Sequence, residues 1–310
     1  MSDKPAILIV QQLLAPIGVM LESEFTVWRL WQGPPLEASP TIGALVVAGE
    51  YAVDRALVES LPKLGLIACF TAGYEGIDLA WVSERGLKVT HSPGANHEDV
   101  ADHAIGLMLM SWRGLVEGHA IVREGRWLPA EKRITPSLGG KRLGVVGLGA
   151  IGEAVARRVE AFGLKVAWWG PSEKPDAHWP RAESLVALAE ASDILIVAAR
   201  ASDGNRGLID RQVIEALGPA GLLVNVARGQ LVDEDALIAA LKDGRLGMAA
   251  LDVFAAEPTP AERWADVPNV VLSPHTAGAT TAALPKMVAL TRENLRRHFA
   301  GEPLANPVVS

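Results

Sequence analysis

The sequence predicts an α/β protein of two parallel-sheet domains, the second inserted into the first. Three observations carry that expectation. Short apolar runs alternate with helical patterns along most of the 310 residues, as parallel strands joined by crossover helices require. A glycine-rich turn, Gly147 to Gly152, restarts the strand–turn–helix order in mid-chain. A last helical pattern is left over after the strands of the second half are used, so it has to return to the first.

In chain order, strands are expected at Ala6–Val10, Ala44–Ala48, Leu64–Phe70 and Leu87–Thr90. Between them Asp54–Leu61 reads as a helix, with Ala56, Leu57 and Leu61 on one face. Two strand ends are marked by glycine, Val47-Ala-Gly49-Glu50 and Phe70-Thr-Ala-Gly73-Tyr-Glu-Gly76-Ile-Asp78. Ligands of open parallel sheets sit outside the carboxyl ends of strands. Gly49, Ala72, Gly73 and Tyr74 are therefore candidate substrate contacts, the alternative being two ordinary βα turns. His91-Ser-Pro-Gly94 closes this unit.

From Glu98 to Leu109 the pattern is helical, with Val100, Ala104, Leu107 and Met108 as its apolar face and Asn96 or His97 as a cap. His97, His103 and His119 have no second ligand at a metal spacing. They read as capping or surface residues, and no metal site is expected. Residues 124–140 read as a Pro- and Gly-rich loop, in which Trp127 is either an interface anchor or a partly buried loop residue.

Leu143, Val145 and Val146 then form a buried strand, followed at once by Gly147-Leu148-Gly149-Ala150-Ile151-Gly152 and a helix with Ile151, Val155, Val159 and Phe162 at helical spacing. This is the setting of a dinucleotide fingerprint. Gly147 permits the turn, Gly149 lets the backbone approach a pyrophosphate, and Gly152 lets the helix press on the strand. The helix start offers N–H groups and a positive dipole end to that diphosphate. The order continues with a strand at 165–169, helix 182–190, and strands at 193–199, 221–226, 248–253 and 270–272, with helix 233–241 between. Six strands suit a Rossmann domain over 97–281. The closing helix, 281–299, carries Met287, Leu290, Asn294, Leu295 and Phe299 in a stripe, and Pro285 is tolerated near its first turn. It is expected to pack on the first unit. The other, flavodoxin-like domain is then 1–96 plus 282–310, with a cleft between the two and hinges near 95–98 and 278–284.

An NAD site wants an acidic residue at the end of the second strand, to bind the ribose 2′-hydroxyl. That strand ends in Gly170-Pro171-Ser172-Glu173-Lys174. Gly170 stands where the carboxylate is expected, and Ser172 and Lys174 are candidate partners of a 2′-phosphate. NADP(H) is favoured, with NAD(H) the alternative if Glu173 takes the acidic role.

Bulk properties bound the partners. Nearly half the residues are apolar and about a fifth charged, an ordinary globular mix, and the net charge is −7. With no long basic run, neither nucleic acid nor an anionic membrane is the expected partner. Cys69 is the single cysteine, so no intrachain disulfide forms, and its apolar surroundings mark it as a core residue. The apolar stretch near the start is too short for a signal peptide, and no segment reaches membrane-span length. A cytoplasmic protein without internal repeats is the expectation.

Three charged residues stand at or just past strand ends of the second domain: Arg228 in Val-Asn-Val-Ala-Arg-Gly, Glu257 in Leu-Asp-Val-Phe-Ala-Ala-Glu-Pro, and His275 in Leu-Ser-Pro-His-Thr-Ala-Gly. Singly each has a dull alternative. Together they supply a cation, an orienting carboxylate and an acid/base on the sheet edge that carries the glycine loop. In this order the motifs closely resemble those of the D-isomer-specific 2-hydroxyacid dehydrogenases, in length most nearly the glyoxylate/hydroxypyruvate reductase group, over nearly the whole chain.

The resemblance implies an oxidoreductase that reduces a small 2-oxo acid to the D-2-hydroxy acid, commonly a homodimer joined through its nucleotide domains. By it, Arg228 binds the substrate carboxylate and polarises the C2 carbonyl, and His275 donates the proton. Glu257 orients His275 and favours its charged form. Amides around Ala72–Tyr74 cradle the carboxylate, Leu148–Ile151 meet the pyrophosphate, and Gly170–Ser172 meet the adenosine ribose. Val226 and Asp252 line the nicotinamide region, and Ala227 and Gly278 are further candidate cofactor contacts. One departure stands out. Where the family shows a Pro-Leu-Thr-like turn, this chain reads Val197-Ala-Ala-Arg200. Arg200 is either a further phosphate partner or a surface charge. With the sequence read to Ser310, a regulatory domain of the kind carried by the longer phosphoglycerate dehydrogenases is not expected. The competing reading is a non-catalytic nucleotide-sensing or partner-binding protein on the same fold.

Overall fold

The computed structural model describes residues 4–33, 39–128 and 134–308. The loop expected over 124–140 therefore lies in part, at 129–133, outside the described residues. The chain divides into two compact units, Met1–Asn96 with Ala279–Ser310, and His97–Gly278. The return to the first unit thus comes three residues before the expected boundary.

In the first unit, β1 (Ala6–Ile9), β2 (Thr26–Arg29), β3 (Ile42–Val47), β4 (Leu66–Cys69) and β5 (Lys88–Thr90) form a parallel sheet in the order β2-β1-β3-β4-β5. The central strands are short and wholly buried because helices cover both faces. Alternate residues serve opposite faces: Ile7 and Ile9 join one core layer, Ala6 and Leu8 the other. Helix α1 (Ala15–Leu21) and the C-terminal helix Ala283–Ala300 lie in the first layer, with Met287, Val288 and Leu295 buried. Asn294 is buried there as well. Its Oδ1 accepts from the Ala305 and Asn306 amides, which ties down the tail. Helices α2 (Arg55–Glu59) and α3 (Leu79–Glu84) cover the other face, each capped by an aspartate, Asp54 and Asp78. Helix α2 turns Val58, with Leu61 just beyond its end, to the core. Ala56, expected on that face, is exposed.

The second unit opens with α4 (His97–Trp112), whose Val100, Ala104, Leu107 and Met108 are buried as expected. After α5 (Leu115–Arg123), the strand β6 (Arg142–Val146), α6 (Ala150–Glu160), β7 (Lys165–Trp169), α7 (Leu185–Glu190), β8 (Ile194–Val197), α8 (Arg211–Leu217), β9 (Leu222–Asn225), α9 (Glu234–Lys242), β10 (Met248–Leu251) and β11 (Val270–Leu272) follow. All strands are parallel, in the order β11-β10-β9-β8-β6-β7. Arg181 adds a single parallel bridge to Trp168, a residual strand outside β7. Again the residues alternate: Val145, Ile194 and Ile196 face α4 and α6, whereas Val146, Leu195 and Val197 face α7 to α9. Helix α6 ends at Glu160, so Phe162 is not on its buried face but 40% exposed. Cys69 is a buried free thiol. Among the described residues no helix is long and apolar enough to cross a membrane.

Candidate active site

The order of the second sheet reverses between β6 and β8, and the glycine turn lies at that switch point, where open sheets bind nucleotides. Gly147 has φ +93°, and a Cβ on it would lie 2.5 Å from the Ala199 Cα. Its N–H donates to the Trp169 carbonyl at 2.8 Å, which brings the end of β7 alongside. A Cβ on Gly152 would collide with the Gly147 carbonyl, so the start of α6 presses on the strand end. At Gly149 a side chain would meet nothing within 4 Å. Packing thus explains the first and third glycines, and the middle one faces open space at a helix start. That combination fits a dinucleotide diphosphate on the amides of Gly149, Ala150 and Ile151. Leu148 contributes backbone alone, since its side chain is buried in the core.

At the other end of that site, Pro171 and Ser172 are exposed beyond β7 and Gly170 is buried. Sequence reasoning passed over Arg181. Its Nη2 donates to the Gly170 carbonyl at 2.7 Å, and its guanidinium stacks 5.6 Å from the Trp168 ring centroid. Lys174 Nζ lies 3.6 Å from Glu153 on the first turn of α6. Two cations therefore flank the strand end where an NAD site would carry its acid.

The charged trio hangs on three neighbouring strands. Arg228 stands three residues past the end of β9, where Asn225 makes a local turn, accepting from the Ala227 amide at 3.1 Å and donating to the Arg228 carbonyl at 3.0 Å. Arg228 Nη1 donates to the Ala227 carbonyl at 2.7 Å. Val226 and Ala227 bury their side chains. A Cβ at Gly229 would collide with Phe254, so the loops after β9 and β10 touch there. The second loop carries Glu257. Its Oε1 accepts from the Phe254 amide at 2.9 Å, and its Oε2 holds His275 Nδ1 at 2.6 Å. Burial alone would push the Glu257 carboxyl up. The hydrogen bonds from His275 and Phe254, with the charges of His275 and Arg228, more than offset this and hold it below its ordinary value. From behind, Glu234 at the start of α9 accepts from the Ala255 amide at 2.9 Å and pairs with Arg263.

His275 itself sits at φ +53°, a conformation uncommon outside glycine. Asp252 over-determines it. The Asp252 carbonyl accepts from the His275 amide at 2.8 Å. Its fully buried carboxylate accepts from Thr276 N at 3.0 Å, Ala277 N at 2.9 Å and Ser273 Oγ at 2.6 Å. His103 Nε2 reaches the same Ser273 Oγ at 2.9 Å. The expectation that His103 is a capping or surface residue is therefore corrected, because α4 carries it against the loop that holds His275. Gly278, at the end of that loop, closes the unit.

In the first unit the candidate substrate loops meet one another. A Cβ on Gly49 would collide with the Gly73 carbonyl, and the Gly76 amide donates to the Gly49 carbonyl at 2.8 Å. Tyr74 packs edge-on to His91 at 5.0 Å, and His91 Nδ1 lies 2.9 Å from the Ala72 carbonyl. Gly49, Ala72, Gly73 and Tyr74 thus form one surface at the carboxyl ends of β3 and β4.

Comparison with known proteins finds relatives along nearly the whole chain. The family model for the NAD binding domain of D-isomer specific 2-hydroxyacid dehydrogenases matches residues 105–277. The chain is 40% identical to a hydroxyphenylpyruvate reductase of Plectranthus scutellarioides and to glyoxylate/hydroxypyruvate reductase A (HPR2) of Arabidopsis thaliana, covering 96% of this chain and 98% of each relative. The solved structure of an NADPH-dependent glyoxylate/hydroxypyruvate reductase from Sinorhizobium meliloti, with NADP and malonate, superposes with a TM-score of 0.91 at 35% identity, over 99% of this chain and 97% of that one.

Proposed function

We infer that this chain, which belongs to the D-isomer specific 2-hydroxyacid dehydrogenase family, is an NAD(P)H-dependent reductase of small 2-oxo acids of the glyoxylate and hydroxypyruvate kind, working in the cytoplasm. The observation that carries the reading is the 2.6 Å contact of His275 Nδ1 with Glu257 on the loop beside Arg228. The relatives named above are by name reductases of 2-oxo acids, and in this chain Arg228, Glu257 and His275 supply a cation, an orienting carboxylate and an acid/base on neighbouring loops.

Each residue's part follows from charge. As a 2-oxo acid is reduced, negative charge grows on its C2 oxygen. Arg228 is the group that binds the substrate carboxylate and stabilises that oxygen with its fixed, always-charged fork. His275 gives the proton from Nε2, since Nδ1 is held by Glu257. Ionised Glu257 keeps the ring oriented and stabilises its charged form. The amides of Ala72, Gly73 and Tyr74 are the proposed carboxylate cradle. When bound, a reduced nicotinamide would supply the hydride for C2. Val226, Ala227 and Gly278 are proposed to line its ring, with the buried Asp252 behind them holding the His275 loop rather than touching it, and the glycine turn its diphosphate. NADP(H) is the favoured cofactor, because Gly170 brings no acid and Lys174 and Arg181 bring positive charge to the ribose end. Parallel assays of glyoxylate and hydroxypyruvate with NADPH and NADH test the assignment. Faster turnover with NADH would reverse the cofactor preference.

Glu257→Gln is expected to leave a pH signature. Reduction needs the imidazole of His275 protonated, and the neighbouring carboxylate favours that form. Removing the charge moves the basic limb of kcat/KM towards lower pH, by about one to two units. The wild-type carboxylate keeps its charge through neutrality, because its pKa is lowered. An unmoved limb in the variant would remove Glu257 from this role.

We propose a homodimer as the working form. Helix α5 buries none of its residues, and Leu115, Val122 and Trp127 are exposed by 54, 61 and 69%. So much apolar surface on a helix and the segment after it suits a second copy of the chain. Val122→Asp is expected to halve the mass seen by light scattering at micromolar concentration. A mass equal to that of the wild type would place any dimer contact elsewhere.

A further inference from the structure

We propose that Glu50 reads the substrate side chain and selects 2-oxo acids bearing a hydroxyl on C3. The proposal rests on the reading of this chain as a 2-oxo acid reductase. The first sheet reverses its order between β1 and β3. In sheets of this order the ligand crevice opens outside the carboxyl ends of those two strands. There the chain is tied together by polar side chains. Gln11 Oε1, after β1, accepts from the Ala48 amide at 2.9 Å. Thr71 Oγ1, after β4, accepts from the Gly49 amide at 2.9 Å.

Glu50 is the next residue, and it is half-buried. Its Oε2 accepts from Thr71 Oγ1 at 2.8 Å, and this is its one hydrogen bond among the described residues. The Gly73 carbonyl, 3.1 Å from the same hydroxyl, is the alternative acceptor for that single proton. The chain Gly49 N–H to Thr71 to Glu50 fixes the carboxylate beside the proposed cradle of Ala72–Tyr74. A carboxylate only accepts hydrogen bonds, and Oε1 has no donor on it from the described residues.

An acidic side chain beside a site that must hold a carboxylate weakens every substrate that gives nothing back. A hydroxyl on C3 gives back a charge-assisted hydrogen bond. A methyl group strips water from the carboxylate and replaces it with nothing. A second carboxylate on the substrate meets like charge. The expected order is therefore hydroxypyruvate, then pyruvate, then oxaloacetate.

The test measures kcat/KM of the wild-type protein, Glu50→Gln and Glu50→Leu with reduced cofactor and these three acids. In the wild type hydroxypyruvate should exceed pyruvate by about ten- to a hundredfold. Glu50→Leu should lower that ratio by about tenfold or more. Glu50→Gln keeps an acceptor oxygen and loses the charge. It should hold part of the ratio and raise oxaloacetate several-fold relative to pyruvate. Should the leucine variant fail to fold, the oxaloacetate shift in the isosteric glutamine variant decides. Ratios that stay within about twofold of wild type in the folded variants overturn the role of Glu50 and leave the reductase standing. A wild-type protein that turns over no 2-oxo acid sinks the reductase reading, and this inference with it.

Discussion

Replacing His275 with asparagine is expected to lower kcat for reduction about a thousandfold while leaving the affinity for reduced cofactor within about threefold of wild type. Asparagine suits this position better than alanine does, because residue 275 sits at φ +53° and asparagine adopts that conformation readily. Its amide also offers a donor towards Glu257. The fold and the loop should be preserved, and what is lost is the proposed proton donor. Cofactor affinity should hold because the glycine turn and the β7 end belong to other loops. Stopped-flow kinetics with a fluorescence titration of the reduced cofactor separates the two quantities. Near-normal turnover in the variant would remove His275 from the chemistry.

Arg228→Gln carries the second large effect. In the proposed role its guanidinium both binds the carboxylate and meets charge growing on the C2 oxygen, so KM should rise and kcat fall together. A combined loss of about 10²–10³-fold in kcat/KM is expected, the scale measured for a single preorganised donor at such an oxygen. Arg228→Lys should recover only part of it, because a lysine ammonium cannot reproduce the two-pronged geometry. The substitution also takes a favourable charge away from Glu257, whose carboxyl should become easier to protonate. If the glutamine variant raised KM alone, Arg228 would be a binding residue without a part in the chemical step.

The features legible in the sequence were those encoded within a few residues of one another. Gly147, Gly149 and Gly152 announce a strand–turn–helix, and the structure gives each a separate reason. Arg228, Glu257 and His275 each follow an apolar run that had to be a strand, so their common sheet edge followed from parallel topology. What was missed depends on distant contacts or on weak patterns. β2, Thr26–Arg29, alternates exposed and half-buried residues at a sheet edge and carries no apolar run. Helix α8 has only seven residues, and its Asp210 cap is its clearest mark. Arg181 reaches Gly170 through a one-residue bridge that no periodicity signals. His103 lies 170 positions from Ser273 in sequence, so only the packing of α4 on the sheet joins them. Phe162 failed for a simpler reason, since the helix stops two residues before it.

The most direct test of the central claim is the initial rate at which the purified protein consumes reduced nicotinamide when glyoxylate or hydroxypyruvate is added. Cofactor should be oxidised in step with appearance of the D-2-hydroxy acid, and His275→Asn should bind cofactor with little turnover. Tight cofactor binding by the wild type with no oxidation on addition of any 2-oxo acid would contradict the account and leave a nucleotide-sensing protein on this fold.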